Sequence, residues 1–148
     1  MDNIDLAKEI WNQTSIPVVI RRTKKGEKHR LRLPFAKHNR IWLSSIGRSE
    51  PTWLGRKKYW EIPKSWFNNF VEQALSTYGV LYIIQPYREM EKCAPACQNA
   101  TGHECQCSCM GANHGQGSDG TWFDVDETFS FRWTGEQLAC RLLKARTQ

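Results

Sequence analysis

The sequence predicts an α+β fold, with a small antiparallel sheet, packed helices and a cysteine-rich zinc-binding segment. Three patterns indicate it. Between residues 30 and 35, leucine and phenylalanine alternate with arginine, which is the period of a half-buried strand. Between residues 66 and 75, apolar residues recur at helical spacing. Five of the six cysteines fall within residues 93–115, a density typical of a metal site or of disulfides.

The first half of the chain predicts a helix followed by strands. Residues 3–13 carry an apolar stripe at helical spacing, formed by Ile4, Ala7, Ile10 and Trp11. The runs "IPVVIRRT" and "KHRLRLPF" flank the turn "KKGE" and predict a β-hairpin with one apolar and one basic face. A third strand is expected at "RIWLSSI", followed by the loop "GRSEPTWLGRKK".

The second half predicts two helices and further strands. An extended stretch is expected to enter a helix near Pro63, and Gly79 is expected to end that helix. "VLYIIQPY" predicts a buried strand, and "TWFDVDETFSFRW" predicts one or two short strands. Thr134 and Gln137 could form a capping box for a last helix, "GEQLACRLLKAR", in which Cys140 would be a core residue.

The length of 148 residues predicts a single domain, with a basic α+β part over 1–90 and a cysteine-rich metal-binding part with a C-terminal helix over 91–148. Residues 1–64 hold 15 Lys and Arg against 6 Asp and Glu, whereas residues 65–148 hold 6 against 9. This asymmetry favours a polyanionic partner, nucleic acid and not a membrane. The sequence has no apolar run long enough to span a bilayer and no signal-peptide pattern, so we expect a soluble, cytoplasmic protein.

The spacing of the clustered cysteines favours metal ligation. Because cytosolic thiols are kept reduced, disulfides are disfavoured in the expected compartment. Cys93 and Cys97 form a C-x3-C pair, which suits two thiolates of one turn binding one ion. A tetrahedral Zn2+ needs four ligands, so we expect this pair to be joined by two members of a second group. That group comprises Cys105, Cys107, Cys109 and His114.

Several alternatives to a single structural zinc remain open. Four cysteines could hold an iron–sulfur cluster, the surplus ligands could form a dinuclear zinc site, or the thiols could be buried without metal. His29 and His38 lie among basic residues, where solvent exposure or phosphate contact is expected instead of ligation. For a metal-dependent nuclease or nucleotide hydrolase, the best candidate acidic residues are Asp119, Asp124, Asp126 and Glu127. They form no recognisable catalytic motif, so a non-catalytic protein is the leading expectation.

Basic and aromatic residues occur together in the first half, as nucleic-acid binding requires. Lysine and arginine contact phosphates, and aromatic rings stack on unpaired bases. Core packing is expected for Trp60 and Trp66, whereas Trp53 lies in a polar loop and is the better stacking candidate. The candidate binding residues are Arg21, Arg22, Lys24, Lys25, Lys28, Arg30, Arg32, Trp53, Arg56, Lys57 and Lys58.

Residues 30–84 resemble the small β-β-α unit of HARP-type domains, which are found in annealing helicases. The resemblance rests on the order of a strand, a Trp before a turn, the strand "KYWEIP" and an amphipathic helix that ends in Gly-Val. In that family the unit contributes to binding branched or single-stranded DNA. The resemblance therefore implies a DNA-binding role for the basic strands around residues 56–58, with DNA favoured over RNA. The sequence has no helicase motor.

The segment "CAPACQNATGHECQCSCMGANHG" is similar to a motif, C-x3-C…C-x-C-S-C-x-G-x-x-H-G, of uncharacterised small proteins of phages and other mobile elements. This similarity implies a role in phage or defence biology. The sequence thus predicts a zinc-binding, nucleic-acid-binding protein without catalytic activity. It could act as an accessory factor or inhibitor of a nucleic-acid-processing complex, with the metal-dependent nuclease or nucleotide hydrolase as the alternative.

Overall fold

A computed structural model describes residues 3–86, 123–133 and 135–145 of the chain. Its helices are α1 (Asn3–Asn12), α2 (Asn39–Ser44) and α3 (Phe67–Tyr78), with a 3-10 turn at Lys64–Trp66 directly before α3. The strands are β1 (Val18–Ile20), β2 (His29–Arg32), β3 (Thr52–Leu54), β4 (Tyr59–Ile62), β5 (Val80–Pro86), β6 (Phe123–Trp133) and β7 (Glu136–Ala145). None of the described helices has the length and apolarity that crossing a membrane requires.

The described strands form one seven-stranded sheet in the order β3-β4-β2-β1-β5-β7-β6. Strands β1 and β5 pair in parallel and every other pair is antiparallel. The α+β class is therefore confirmed, but the sheet is larger than the small antiparallel one that the sequence predicted. The sheet contains strands from both halves of the chain. Strand β7, from the C-terminal half, lies between β5 and β6.

Helices cover both faces of the sheet and divide the core into two clusters. On one face, α2 and α3 pack over Val19, Leu31, Ile62 and Leu81. On the other, α1 packs with Ala7, Ile10 and Trp11 over β1, β4, β5, β6 and β7. Alternate residues of each inner strand therefore enter different clusters, as the pleat requires. We call these the α3 face and the α1 face.

The first hairpin and the central helix match the prediction. Strands β1 and β2 are antiparallel, with Val18 opposite Arg32, and Gly26 supplies a positive φ of 82° in the connecting loop. Helix α3 ends at Gly79, which is left-handed with φ 80° and donates its N–H to the Leu75 carbonyl oxygen at 2.9 Å.

The predicted strand at residues 40–46 is wrong, because Asn39–Ser44 form helix α2. Leu43 and Ile46 are buried at helical spacing, and they join the core beneath α3. The Trp42 indole packs edge-on against Phe70, with ring centroids 6.0 Å apart. The isoleucines and the tryptophan of this run have high strand propensity, but tertiary packing overrides that preference.

The predicted C-terminal helix is also wrong, because residues Glu136–Ala145 form β7. Pairing on both sides, with β5 and β6, buries a run in which Cys140 faces α1 and Leu143 faces α3. Such a doubly covered strand is apolar on both sides, and its pattern does not distinguish it from a buried helix. Gly135, with φ 81°, lies in the tight connection to β6 where a helix cap was expected. The short strands expected before it form a single strand, β6, with a bulge between Val125 and Glu127.

Candidate nucleic-acid interface

Trp53 is an exposed aromatic residue on β3, which lies at one edge of the sheet. Its side chain is 44% exposed, and its ring centroid lies 5.0 Å from that of Trp60, its direct cross-strand partner on β4. Trp60 is only 9% exposed and belongs to the core beneath α3. The core ring therefore supports the exposed one, which leaves part of the Trp53 surface open for stacking.

The turn between β3 and β4 carries three exposed cations next to this ring: Arg56, Lys57 and Lys58. The N–H groups of Lys57 and Lys58 donate to the Leu54 carbonyl oxygen at 3.1 and 2.7 Å, so the turn is tight. A Cβ atom at Gly55 would lie 3.4 Å from Trp53 Nε1, which places the turn against the indole. Among the described residues, the charged groups of these three side chains make no ion pair and no hydrogen bond.

Arg40 of α2 adds a fourth cation to the same edge. Its Cζ atom lies 5.1 Å from the Trp60 ring centroid, on the face of the sheet that Trp53 shares. Its ion pair with Glu50, from Nη1 to Oε2 at 4.0 Å, is between exposed side chains and is therefore weak. Sequence reasoning missed Arg40, because residues 40–46 were expected to form a strand. We call Arg40, Trp53, Arg56, Lys57 and Lys58 the β3 surface.

Arg32, a predicted phosphate contact, is held by intramolecular bonds. Its Nη1 donates to the Trp11 carbonyl oxygen at 2.8 Å and to Asn12 Oδ1 at 2.9 Å, and its Nη2 donates to the Lys57 carbonyl oxygen at 3.2 Å. Burial lowers the pKa of Arg32 below its ordinary value. This guanidinium joins the end of α1 to the β3–β4 turn, and in this way positions the cations of the turn.

Arg22 and Arg30 are likewise engaged with acidic side chains on the α1 face. Arg22 pairs with Glu27, and its Nη1 lies 3.8 Å from Glu61 Oε2. Arg30 Nε lies 3.7 Å from the same Glu61 oxygen, and its Cζ lies 5.1 Å from the Tyr59 ring centroid. The predicted basic face of the hairpin is thus partly neutralised, because α1 and these carboxylates cover it.

The remaining predicted cations divide between the two faces. Arg21 turns to the α3 face, with its Cζ 5.5 Å from the Phe67 ring centroid. Lys24, Lys25 and Lys28 lie exposed in the loop between β1 and β2. This loop is at the opposite end of the strands from the β3–β4 turn, so the structure does not bring the two groups of cations together.

His29 was expected to be exposed or in contact with phosphate, and that expectation is wrong, because its side chain is 2% exposed. It shares the α3 face with Leu31, and its ring centroid lies 5.2 Å from that of Phe67. The Arg22 N–H donates to His29 Nδ1 at 3.0 Å. Burial lowers the pKa of His29 from 6.5 to about 4, so the ring is neutral at pH 7. Its alternation with Leu31 was the signal that could have placed it in the core.

The predicted metal ligands Cys93, Cys97, Cys105, Cys107, Cys109 and His114 lie outside the described residues, as does Asp119. Within the described ranges, no three His, Cys, Asp or Glu side chains form a group that could hold a metal ion. Asp124, Asp126 and Glu127 belong to strand β6. Cys140 is buried in the core, as expected, but it lies on a strand.

Compared with family models, with curated proteins and with solved structures, the chain matches none of them. The HARP-type resemblance of residues 30–84 is therefore neither supported nor contradicted by these comparisons. Membership of that family stays a prediction.

Proposed function

We propose that this protein binds nucleic acid through the β3 surface, with single-stranded or branched DNA as the preferred partner. The observation that carries the proposal is the half-exposed Trp53 ring, supported by Trp60 and flanked by the β3–β4 turn. Base stacking on an aromatic ring, next to cations that follow the backbone, is how proteins bind single strands without sequence preference.

The charges of the β3 surface favour a polyanion over other partners. Within the described part of the chain, Arg56, Lys57 and Lys58 have no acidic partner, so their charges are available to phosphates. An unpaired base, unlike a base in a duplex, can expose its flat face to Trp53. This requirement favours single strands and branch points.

The wider role remains part of the same proposal. We propose a protein without catalytic activity that serves a nucleic-acid-processing complex in phage, mobile-element or defence biology, as an accessory factor or inhibitor. A structural zinc held by residues of the 93–114 segment would stabilise the C-terminal part. Support for this role comes from the sequence motif, whereas the β3 surface supports nucleic-acid binding directly.

The test is a titration of labelled single-stranded, branched and duplex DNA, and of single-stranded RNA, at several salt concentrations. Because phosphate contacts release counterions, we expect the affinity for single-stranded DNA to fall steeply with salt, with a slope that decreases by about 0.7 for each contact removed. Lys57→Glu/Lys58→Glu should weaken binding more than tenfold at unchanged fold, since two attractive contacts become repulsive.

The matched control is Lys8→Glu compared with Lys57→Glu, since both exchange one exposed lysine and change the net charge equally. Lys8 lies on α1 and is not part of the β3 surface. A flat salt response, or equal losses in the two single variants, would contradict the proposal. Cleavage of labelled DNA or RNA with Mg2+, Mn2+ or Zn2+ would instead favour the hydrolase.

A further inference from the structure

A second site lies on the α1 face, at the end of the sheet opposite the β3–β4 turn. A cavity of about 400 Å³ opens there between the loop of residues 21–28 and the connection from β6 to β7. Its apolar floor is formed by Ile20 of β1, Pro86 of β5 and Leu138 of β7. This volume lies within the range of small-molecule sites, which is about 300–1,000 Å³.

The two ends of the cavity differ in chemistry. At the β2 end, Lys24 and Arg30 supply positive charge, together with the Arg22–Glu27 pair. At the β7 end, the Trp133 indole and the Glu136 carboxylate line the wall. A ligand that fills the cavity would therefore be anionic at one end and flat at the other.

The charge at the β2 end is only partly neutralised by the protein itself. Arg30 Nε is buried and has no hydrogen-bond partner in the described part of the chain, and the Glu61 carboxylate oxygen Oε2 is 3.7 Å away. Lys24 accepts a hydrogen bond through its carbonyl oxygen, but no ion pair among the described residues involves its ammonium group. An anion between these two side chains would pair with the Lys24 ammonium group and with the accessible part of the Arg30 side chain, which is 34% exposed.

The separation of the two ends suits an elongated ligand. Neighbouring strands lie about 4.8 Å apart, so the three steps from β2 to β7 separate these two strands by about 14 Å at the backbone. An isolated phosphate would occupy only the cationic end, and an uncharged ring only the indole end. A nucleotide carries a flat base and a phosphate at opposite ends of one molecule.

We propose that this cavity binds a phosphate-bearing nucleotide, either free or at the end of a strand, with its phosphate near Lys24 and Arg30 and its base against Trp133. Glu136 would accept hydrogen bonds from N–H groups of the base. The site is separate from the β3 surface and does not rest on it, because no residue is shared between them.

Calorimetric titration tests whether a ligand needs both a phosphate and a base to bind the cavity. The probes are the four deoxynucleoside monophosphates, the matching deoxynucleosides and inorganic phosphate. We expect saturable binding of at least one monophosphate below about 1 mM, and binding at least about tenfold weaker for its nucleoside and for inorganic phosphate. Absence of saturable monophosphate binding would overturn the proposal.

Lys24→Glu and Lys25→Glu form a matched pair for the cationic end. Both lysines are exposed in the same loop, but only Lys24 lines the cavity. Monophosphate binding should weaken about tenfold or more in Lys24→Glu and less than about twofold in Lys25→Glu. Equal effects would overturn the assignment.

At the other end of the cavity, NMR tests the contact with the base. Added nucleotide should shift the Trp133 indole N–H resonance, which is identified as the one missing from the Trp133→Phe spectrum. An unmoved resonance would contradict the proposed pose.

DNA strands with a 5′-phosphate, a 3′-phosphate or two hydroxyl ends then show whether the ligand is a free nucleotide or the end of a strand. A Lys24-dependent preference for one phosphorylated end would assign the cavity to strand ends, and Lys24-dependent binding of free nucleotide alone would assign it to the free ligand. Trp53→Ala should leave monophosphate binding unchanged. If the protein binds DNA strands but no monophosphate, only the cavity proposal is contradicted. If it binds a monophosphate but no DNA strand, only the proposal for the β3 surface is contradicted.

Discussion

The Arg32 guanidinium lies 4.4 Å from the Trp11 ring centroid and also donates a hydrogen bond to the Trp11 carbonyl oxygen at 2.8 Å. Trp11 is in the last turn of α1, where carbonyl groups lack helical partners and where a cation is favourable. Helix α1 has no basic residue of its own in that turn, so a strand residue supplies the charge. Arg32 is therefore a structural residue that connects α1, β2 and the β3–β4 turn.

Replacing Arg32 should destabilise the fold. Arg32→Gln removes the cation and at least two of three hydrogen bonds, and we expect a loss of about 2 kcal/mol of unfolding free energy. Urea denaturation measures it. The control is Lys25→Gln, an exposed loop position, which should change stability by less than about 0.5 kcal/mol. Equal stability of the two variants would show that the contacts of Arg32 contribute little.

Trp53 should contribute to binding and not to folding. In Trp53→Ala a base loses its stacking partner, which is worth about 1–3 kcal/mol, so the affinity for single-stranded DNA should fall about tenfold. Trp53→Phe keeps an aromatic face and should retain most of the affinity of the parent protein for single-stranded DNA. Fluorescence anisotropy with labelled strands measures both, and circular dichroism checks the fold. If Trp53→Ala binds like the parent protein, the ring does not stack on a base.

Gly47 has no space for a side chain, because a Cβ atom there would collide with the buried Trp66 indole. The collision involves a ring fixed in the core, so relief requires movement of the segment after α2 or of the 3-10 turn before α3. We expect Gly47→Ala to lose about 3 kcal/mol of stability, as overpacked cores do. Gly55→Ala is the comparison, since its nearest contact, at 3.4 Å, is ordinary. Thermal unfolding separates the two, and recovery in Gly47→Ala/Trp66→Leu would identify the collision as the cause.

Buried His29 should make stability fall in mild acid. Its pKa is about 4 in the folded protein and 6.5 when it is free of the fold, so the unfolded chain binds the proton more tightly. This contribution to stability is complete above pH 6.5, decreases as the pH falls, and is lost below pH 4, with a total of about 3 kcal/mol. Denaturation between pH 7 and 4 should show a shallower slope in His29→Asn than in His38→Asn, whose histidine is exposed. Parallel slopes would place the His29 ring in water.

Local patterns predicted α1, the β1–β2 hairpin, β4, α3 and β5, because each carries its own period or cap. Cys140 shows why β7 could not be predicted: it pairs with Ile84 and Phe129, and only those distant partners make the apolar run a strand. The exposed ring of Trp53 and the cations beside it were predicted, but the expected loop at residues 47–58 is wrong in part, because Thr52–Leu54 form β3. Arg40 and the cavity at Trp133 were not, because sheet pairing brings their residues together.

The spacing of the clustered cysteines predicts a bound metal ion. These cysteines lie outside the described residues, so the metal content must be measured directly. Mass spectrometry of the purified protein should find about one Zn2+ per chain, with reduced thiols after chelation. Because a structural zinc contributes several kcal/mol to folding, its removal should lower the unfolding temperature by about 10 °C. Cys93→Ser/Cys97→Ser should lose the metal, whereas Cys140→Ala should retain it, since Cys140 is in the core of the sheet. Iron with visible absorption would favour the cluster, two zinc ions would favour the dinuclear site, and oxidised cysteines without metal would overturn both the site and the expected compartment.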